Sequence, residues 1–342
     1  MKNFAYISGE NPVLGKAEVK VLVEMIDSDG IVTWQDRLAI IDTENEVVPF
    51  LLNRAAMVQE TGHIIGEAES CFETPSWIST DQITSILSRT DTFAIRSKSL
   101  LDDIDLETRK DFVLQLGTEL KEITGARVSL KRPDVKILVF FTSKGVLVCK
   151  SWESDLRGLL QQREPGKKRF FHPSMMNSKL ARVMCNLARV RPKEIVLDPF
   201  CGGGGILCEI ISIGAWAVGS ELRWSLLKGA RENLAEMGEL EPNLIQSDAR
   251  RLPFGYSKFN HIVTDPPYGR SSSTQGETSI KLVQELFEIG PSLVSPGGRM
   301  SVCASSEMDL KELATVQGLR VGECLRVRVH SGLTREIVVI EV

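Results

Sequence analysis

Residues 194–207 read EIVLDPFCGGGGIL, and this stretch decides the fold. An apolar run ends in an acid, Asp198, and four consecutive glycines follow before the apolar residues resume. Glycine lets the backbone approach a ligand closely at a turn between a strand and a helix. We therefore predict a buried strand, a ligand-binding turn and the start of a helix.

Two common glycine-rich sites do not fit this stretch. A dinucleotide site needs a third glycine where this chain has Leu207, and the Gly-Lys-Ser/Thr of a phosphate loop is missing. A carboxylate at the strand end would also repel a pyrophosphate, whereas it suits a cationic or amino-bearing ligand. On its own, the turn is equally compatible with a structural role.

A second motif, Asp265-Pro266-Pro267-Tyr268, follows the apolar run Ile262-Val263. The Asp265 carboxylate and the Pro266 carbonyl can both accept hydrogen bonds from an exocyclic amino group. The prolines fix the backbone that aims these acceptors, and the Tyr268 ring offers a face for a base to stack on. The motif predicts a site for the amino group of a flat ring. A strand followed by a purely structural proline-rich turn is also compatible with this sequence.

Together, the two motifs resemble motifs I and IV of the S-adenosylmethionine-dependent amino-methyltransferases. The resemblance implies S-adenosyl-L-methionine as the cofactor and a base held by Asp265, Pro266 and Tyr268. It implies that the glycine turn binds the cofactor through four residues: Asp198, Pro199, Gly202 and Gly204. Many relatives have Cys-Gly-Ser/Thr-Gly where this chain has a further glycine at 203, which leaves the cofactor affinity open.

Two more acids, Glu221 and Asp248, follow predicted strands between the motifs. An open parallel sheet binds its ligands at the carboxyl ends of its strands. Four acids at four successive strand ends therefore predict a single site. There Glu221 would bind the ribose hydroxyls, and Asp248 with the backbone of Ala249 would bind the adenine. Each acid alone is also typical of a helix N-cap or a turn.

Residues 170–176, FFHPSMM, resemble the segment that precedes the first strand in these enzymes and closes over the methionine end of the cofactor. The resemblance implies a contact from Pro173. For His172, a purely structural role fits the sequence equally well.

The alternation of helices and strands over residues 179–342 predicts a doubly wound parallel sheet with a closing β-hairpin, as in class I (Rossmann-like) methyltransferases. Residues 151–178 are predicted to be a polar linker. Its basic tip either serves as a passive tether or contacts RNA backbone, through Lys167, Lys168 and Arg169.

The N-terminal part is predicted to form two α+β units. Residues 1–69 have the element order β-α-β-β-α-β of a ferredoxin-like fold. Residues 70–150 resemble the THUMP module of RNA-modifying enzymes, through the stretches 93–96 (FAIR) and 128–135 (VSLKRPDV). The resemblance implies binding of structured RNA, typically a tRNA end. The candidate phosphate contacts, each also typical of an ordinary surface, are Arg96, Lys98, Lys131 and Arg132.

Charge and cysteine content set further bounds. The net charge is −4, but residues 151–200 hold ten Lys and Arg against five Asp and Glu, so a local basic patch is compatible with RNA. The seven cysteines form no C-x-x-C pair, which favours neither a disulfide framework nor a zinc site and fits a reducing cytoplasm. The N-terminus lacks a signal-peptide core, and no apolar run approaches the ~18 residues of a membrane span.

The whole chain resembles the archaeal tRNA (guanine-N2-)methyltransferases that act at tRNA position ten. The resemblance implies methylation of guanine to N2-methylguanosine or N2,N2-dimethylguanosine. A paired base would have to be flipped out to reach such a pocket. The small, polar stretch 269–276 after the motif predicts that Arg270 lies near a phosphate. The resemblance also implies tRNA as partner and, in some relatives, a small zinc-binding activator subunit that pairs with the methyltransferase domain.

Three alternatives stay open from the sequence. A sister enzyme would methylate guanine N2 at another tRNA position or in ribosomal RNA. The Asp-Pro-Pro-Tyr motif also occurs in DNA adenine-N6 methyltransferases, but the THUMP resemblance argues against DNA because that module recognises RNA shape. An RNA-binding scaffold without catalysis would tolerate loss of the four acids, and all four are present.

Overall fold

The structure is a computed structural model that describes residues 2–69, 78–101, 104–239, 242–267, 276–330 and 333–342. The chain divides into two compact units, each with its own β-sheet. The first unit comprises Met1–Pro12, Val23–Asn53 and Val58–Asp155, and the second comprises Val13–Leu22, Arg54–Met57 and Leu156–Val342. Among the described helices, none combines the length and the apolar character needed to cross a membrane.

The first unit contains an eight-stranded sheet with the order β2-β3-β1-β4-β8-β7-β5-β6. Its strands are β1 (Lys2–Ile7), β2 (Ile31–Gln35), β3 (Leu38–Asp42), β4 (Val58–Ala68), β5 (Thr92–Ser99), β6 (Arg127–Val128), β7 (Val135–Thr142) and β8 (Gly145–Glu153). The helices of residues 2–124 are α1 (Pro12–Ile26), α2 (Val48–Arg54), α3 (Thr80–Ile86) and α4 (Leu106–Thr124).

Strand β4 joins the two halves of this sheet. It pairs antiparallel with β1 on one side and with β8 on the other. The sequence predicts this strand only over 64–69, but it begins at Val58. Gly62 sits against the Lys150 carbonyl so closely that a Cβ there would lie 2.0 Å from the oxygen. Residues 1–69 and 70–150 therefore contribute strands to one sheet, and their assignment to two domains stays a prediction.

Helices α3 and α4 supply a hydrophobic core for the second half of this sheet. Helix α3 begins at Thr80 because Ser79 and Gln82 form a reciprocal capping box. Helix α4 buries Phe112, which packs edge-on against Phe141 of β7 with ring centroids 5.6 Å apart. The sequence pattern predicts an amphipathic helix over residues 108–123, and α4 covers this range.

The second unit contains a seven-stranded sheet with the order β11-β10-β9-β12-β13-β15-β14. Its strands are β9 (Ile195–Asp198), β10 (Trp216–Glu221), β11 (Asn243–Gln246), β12 (Phe259–Thr264), β13 (Val294–Ser305), β14 (Arg320–His330) and β15 (Leu333–Glu341). The helices of residues 156–316 are α5 (Leu156–Gln162), α6 (Ser178–Leu187), α7 (Gly205–Ser212), α8 (Trp224–Ala235), α9 (Gly276–Leu293) and α10 (Leu310–Val316).

The topology of this sheet confirms the predicted Rossmann-like methyltransferase fold. Strands β11, β10, β9, β12 and β13 are parallel, and β15 inserts antiparallel between β13 and β14. Strand order reverses between β9 and β12, so the carboxyl ends of these two strands meet at the switch point where such sheets bind ligands.

The segment 151–178, predicted to be a linker, is not an extended tether. Helix α5 buries Leu156 and Leu160, which stand four residues apart on one helical face. Just beyond it, the Arg163 Nε donates to the Oε1 of Glu209 at 2.7 Å, and Glu209 is fully buried in α7. Apolar spacing and a buried ion pair thus fold this segment into the second unit.

A buried polar network explains why two short N-terminal segments belong to the second unit. Glu18 is fully buried, and burial raises the pKa of its carboxyl. It accepts hydrogen bonds from the backbone N–H groups of Ala56 at 2.9 Å and Met57 at 2.8 Å, and from the Asn186 side chain at 2.7 Å. Deleting residues 1–150 would remove Glu18, Ala56 and Met57 and leave the buried Asn186 side chain without its Glu18 acceptor, so truncation is a poor way to separate the functions of the two units.

Candidate active site

Four acids lie at the carboxyl ends of four neighbouring parallel strands, as the sequence predicts. Asp198 is the last residue of β9 and Glu221 the last of β10. Asp265 directly follows β12, and Asp248 stands two residues beyond β11. The topology therefore brings together side chains that are up to 67 residues apart in the chain.

Asp198 is the most deeply buried of the four, with 1% of its surface exposed. Its Oδ1 accepts a hydrogen bond from the Thr264 hydroxyl at 2.6 Å and another from the Phe200 backbone N–H at 3.1 Å. Burial raises the pKa of Asp198 to about 7; the nearby charges of Asp265 and Glu221 add to this rise, and the two hydrogen bonds oppose it. The site therefore favours a cationic ligand that would restore the ionised form.

The glycine turn between β9 and α7 has the conformation that its sequence requires. Gly202 and Gly204 have φ angles of 51° and 80°, in the left-handed region that favours glycine. A Cβ on Gly203 would lie 2.7 Å from the sulfur of Met175. Asn233 of α8, almost fully buried, donates to the Gly203 carbonyl at 2.8 Å and holds the turn in place.

Glu221 and Asp248 differ in the hydrogen-bond donors that their carboxylates already bind. Glu221 accepts from the backbone N–H of Gly202 at 3.2 Å and of Arg223 at 2.8 Å. Asp248 binds the Arg250 guanidinium through both oxygens, with the shortest contact at 2.6 Å, and this hydrogen bonding holds the pKa of Asp248 below its ordinary value. An adenine at Asp248 would therefore compete with Arg250. Ala249, beside it, is buried.

The segment 170–176 lies against the glycine turn. The backbone N–H of Phe170 donates to Asn233 at 2.9 Å, and its ring occupies the space beside Gly229, where a Cβ would lie 2.2 Å from the ring. His172 makes local turn contacts, with its Nδ1 2.7 Å from the Ser174 hydroxyl. Pro173 is exposed. The described contacts of His172 fit the structural alternative, and the cofactor contact of Pro173 stays a prediction.

Asp265 contacts a residue that the sequence did not indicate. Its Oδ2 lies 3.3 Å from the Arg335 Nη1, and Arg335 comes from β15, 70 residues later. Pro266 is buried beside it, whereas Tyr268 and Arg270 lie outside the described residues. Arg335, like Thr264 and Asn233, was missed because its partner is set by tertiary pairing and no local pattern marks it.

The predicted basic contacts of the first unit differ in availability. Arg96 is exposed, and its Nη2 donates to the Leu130 carbonyl at 2.7 Å, which ties the loop that carries Lys131 and Arg132. Lys131 and Arg132 are themselves exposed. Lys98, in contrast, lies 3.3 Å from Glu60, whose side chain is largely buried. Lys131 and Arg132 are therefore better candidates for phosphate contacts than Lys98.

The basic tip at 167–169 shows a similar division. Lys167 and Arg169 are exposed, and Arg169 lies 3.6 Å from Glu236. The Lys168 Nζ donates instead to the Cys208 sulfur at 3.0 Å. Across the described parts of the chain, no cluster of His, Cys, Asp and Glu could hold a metal ion.

Comparison with known proteins agrees with this arrangement. Residues 165–337 match the family described as RMKL-like, methyltransferase domain, which is about half of the chain. The tRNA (guanine(10)-N2)-dimethyltransferase of Methanothermobacter thermautotrophicus is 33% identical, over 100% of this chain and 99% of that protein. The enzyme of the same name from Methanocaldococcus jannaschii is 28% identical, over 97% of each chain.

A solved structure extends the likeness to the fold. TrmN from Thermus thermophilus has a TM-score of 0.60 and covers 100% of this chain and 99% of its own, at 19% sequence identity. At this identity the likeness concerns the fold alone, and it spans both units.

Proposed function

The chain belongs to the tRNA (guanine(10)-N2)-methyltransferase family, and on that premise we propose that it methylates the exocyclic amino group of guanine at tRNA position ten. The methyl donor is S-adenosyl-L-methionine, and the products are N2-methylguanosine and N2,N2-dimethylguanosine. Full-length coverage of the archaeal relatives supports the target position, which the site alone does not specify.

The observation that carries this proposal is the pairing of Asp198 and Asp265 at the switch point. Thr264 donates to Asp198 at 2.6 Å and directly precedes Asp265, and the charge of Asp265 raises the pKa of the Asp198 carboxyl, so the two carboxylates lie near one another. One carboxylate next to the glycine turn suits a cation, and the other suits an amino group. A methyl transfer from a sulfonium to an amino nitrogen brings a cation and an amino group together, and this pair of carboxylates suits that combination.

The residues present fit the cofactor. When bound, S-adenosylmethionine supplies the electrophilic methyl group of its sulfonium. The side-chain-free turn at Gly202 and Gly204 leaves room for a close ligand, and buried Asp198 provides a negative charge. We assign the ribose hydroxyls to Glu221 and the adenine to the Asp248–Ala249 strand end, where Asp248 would have to exchange its contact with Arg250.

Catalysis by this site is mainly positioning. The amino nitrogen of guanine is a poor nucleophile because its lone pair is delocalised into the ring. Asp265 and the Pro266 carbonyl, by accepting its two N–H groups, would favour a pyramidal nitrogen whose lone pair is directed at the methyl group. Positioning of this kind can contribute about 7–11 kcal/mol. A paired base must first be flipped out, at a few kcal/mol. We assign Tyr268, the last residue of the motif, to stacking on that base and Arg270, two residues further on, to a phosphate contact.

For the first unit we propose tRNA binding by a ferredoxin-like part and a THUMP part. The strand order β2-β3-β1-β4, with all three pairings antiparallel, supports the ferredoxin-like assignment. The exposed Lys131 and Arg132 support an RNA surface on the THUMP part. A cytoplasmic location and a small zinc-binding activator subunit also stay proposals. Leu222, directly after β10, and Trp224, at the start of α8, are both exposed and offer such a subunit an apolar surface.

The test of this function is transfer of labelled methyl from S-adenosylmethionine to unmodified tRNA, followed by nucleoside analysis. We expect N2-methylguanosine, with N2,N2-dimethylguanosine accumulating over time. A tRNA with adenosine at position ten is the matched control and should accept no label. Label on that control would assign another guanine, and no product from tRNA or ribosomal RNA, with and without a zinc-binding partner, would refute the proposal.

Reversing the charge of Lys131 and Arg132 should weaken tRNA binding. Each lost phosphate contact reduces counterion release, so the double variant Lys131→Glu/Arg132→Glu should bind roughly 10-fold or more weakly, with a salt slope smaller by about two. Filter binding across a salt series measures both quantities, and S-adenosylmethionine affinity should not change. The exposed pair Lys110→Glu/Lys121→Glu on α4 is the charge-matched control. Equal losses in both variants would indicate a long-range charge effect and contradict the assignment.

A further inference from the structure

An ion pair connects Asp265, at the end of β12, to Arg335 of β15, two strands away in the sheet. The Arg335 Nη1 lies 3.3 Å from the Asp265 Oδ2. The side chains are only 15% and 11% exposed, respectively, so water screens their interaction weakly. The Coulomb attraction within such a pair is stronger than at the surface, and loss of one partner leaves the other poorly solvated.

Strand register explains why Arg335 reaches this acid. In the antiparallel pair β13–β15, Arg335 stands opposite Ser305, and in the parallel pair β12–β13, Thr264 stands opposite Val302. Asp265 therefore follows beside Cys303. Residues 303 and 305 are two apart and share a face of the sheet, so the arginine extends over β13 along that face.

Contacts to Cys303 support this placement. Burial raises the pKa of the Cys303 thiol well above its ordinary value, and the charge of Asp265 adds to the rise. A hydrogen bond and the positive charge of Arg335 act in the opposite direction. The guanidinium thus lies within reach of both the thiol and the carboxylate, in the middle of the polar strand ends.

Asp265 needs a positive partner in this setting. The described groups that interact with it include Cys303 of β13, Asp198 at the end of β9 and Arg335 of β15. A second carboxylate so close disfavours the ionised form of the first. An arginine remains charged throughout the physiological pH range and holds a carboxylate in a fixed plane through its fork of N–H donors.

We propose that Arg335 is a positioning residue for methyl transfer, which orients the Asp265 carboxylate and keeps it ionised so that it accepts a hydrogen bond from the substrate amino group. This inference rests on the proposed function. A carboxylate offers about four acceptor positions, so a contact with Arg335 leaves capacity for the substrate N–H. A protonated Asp265 would present a donor to an amino group that is itself a donor.

The test compares Arg335→Met, Arg335→Lys and the control Arg320→Met in the full-length protein. Arg320 lies in the same C-terminal hairpin, and its side chain is 75% exposed. We expect kcat of Arg335→Met for tRNA methylation to fall roughly 10- to 100-fold, with KM for S-adenosylmethionine within about threefold of the original. The acid limb of the kcat–pH profile should move to higher pH. Arg335→Lys should restore part of kcat and most of the profile, and Arg320→Met should match the unsubstituted enzyme.

Two results would overturn the inference. One is an Arg335→Met enzyme with unchanged kcat and pH profile. The other is a purely structural pattern, in which cofactor binding, melting temperature and kcat fall together in both Arg335 variants and the shape of the pH profile is unchanged. If the unsubstituted protein methylates no RNA at all, the proposed function fails first, and this inference fails with it.

Discussion

Replacing Asp265 with alanine is expected to reduce methyl transfer to tRNA by roughly 1,000-fold while cofactor affinity changes only a few-fold. On the proposed assignment, the carboxylate accepts a hydrogen bond from the guanine amino group, and this interaction strengthens as the nitrogen becomes pyramidal in the transition state. Single-turnover transfer of labelled methyl, with enzyme in excess over tRNA, measures the chemical step, and calorimetric titration measures cofactor affinity.

Two further variants make the result specific. Asp265→Asn keeps one acceptor oxygen in nearly the same shape, so its activity should lie between that of alanine and that of the original enzyme. Glu307→Ala removes an exposed carboxylate from the same unit and should be neutral. Because alanine leaves Arg335 without its carboxylate partner, a melting curve must accompany the assay. An Asp265→Ala enzyme that folds normally and methylates at the original rate would remove this residue from the site.

The sequence predicts the second unit well because the topology of a parallel sheet makes local patterns sufficient. An acid after an apolar run lies at the carboxyl end of a strand, whatever the length and conformation of the loops. The carboxyl ends of neighbouring parallel strands lie together at one end of the sheet. Asp198, Glu221, Asp248 and Asp265 all lie where this reasoning puts them. Their assigned contacts with cofactor and base are a separate matter and stay proposals.

What the sequence could not predict depends on partners that are distant along the chain. Residues 58–63 read VQETGH and carry a weak strand pattern, but pairing with β1 makes them a strand. The prediction of a linker over residues 151–178 rested on their polar composition. The leucine spacing of α5 and the ion pair with buried Glu209 determine the structure of this segment instead. Arg335 belongs to the same class, because nothing near it in sequence indicates that it lies beside Asp265.

The affinity for S-adenosylmethionine is expected to rise with pH and to level off above about pH 7, because the cationic cofactor favours the ionised form of Asp198. The pKa of this carboxyl is raised to about 7 in the ligand-free protein, mainly by burial. Below that pH, binding must remove a proton, and the association constant changes by up to about 10-fold per pH unit. Calorimetric titrations at several pH values, in buffers of different ionisation enthalpy, report both the affinity and the proton released.

Variants of two acids show whether Asp198 is the group that causes this pH dependence of the affinity. In Asp198→Asn the affinity should fall and lose its pH dependence, because no proton remains to be released. In Glu221→Gln the affinity should also fall, but the rise toward pH 7 should persist, since Glu221 only adds to the burial effect on Asp198. An affinity of the unsubstituted protein that is flat between about pH 5 and pH 8, or a pH dependence retained in Asp198→Asn, would contradict the assignment.

Without cofactor, the protonation of Asp198 affects the stability of the fold. The folded protein binds the Asp198 proton more tightly than the unfolded chain, so between the ordinary aspartate pKa and about 7 its contribution to stability falls as pH rises. The carboxylate that lowers the stability of the protein at neutral pH is thus the one that a bound cation stabilises, and the melting temperature should respond to cofactor most strongly above pH 7.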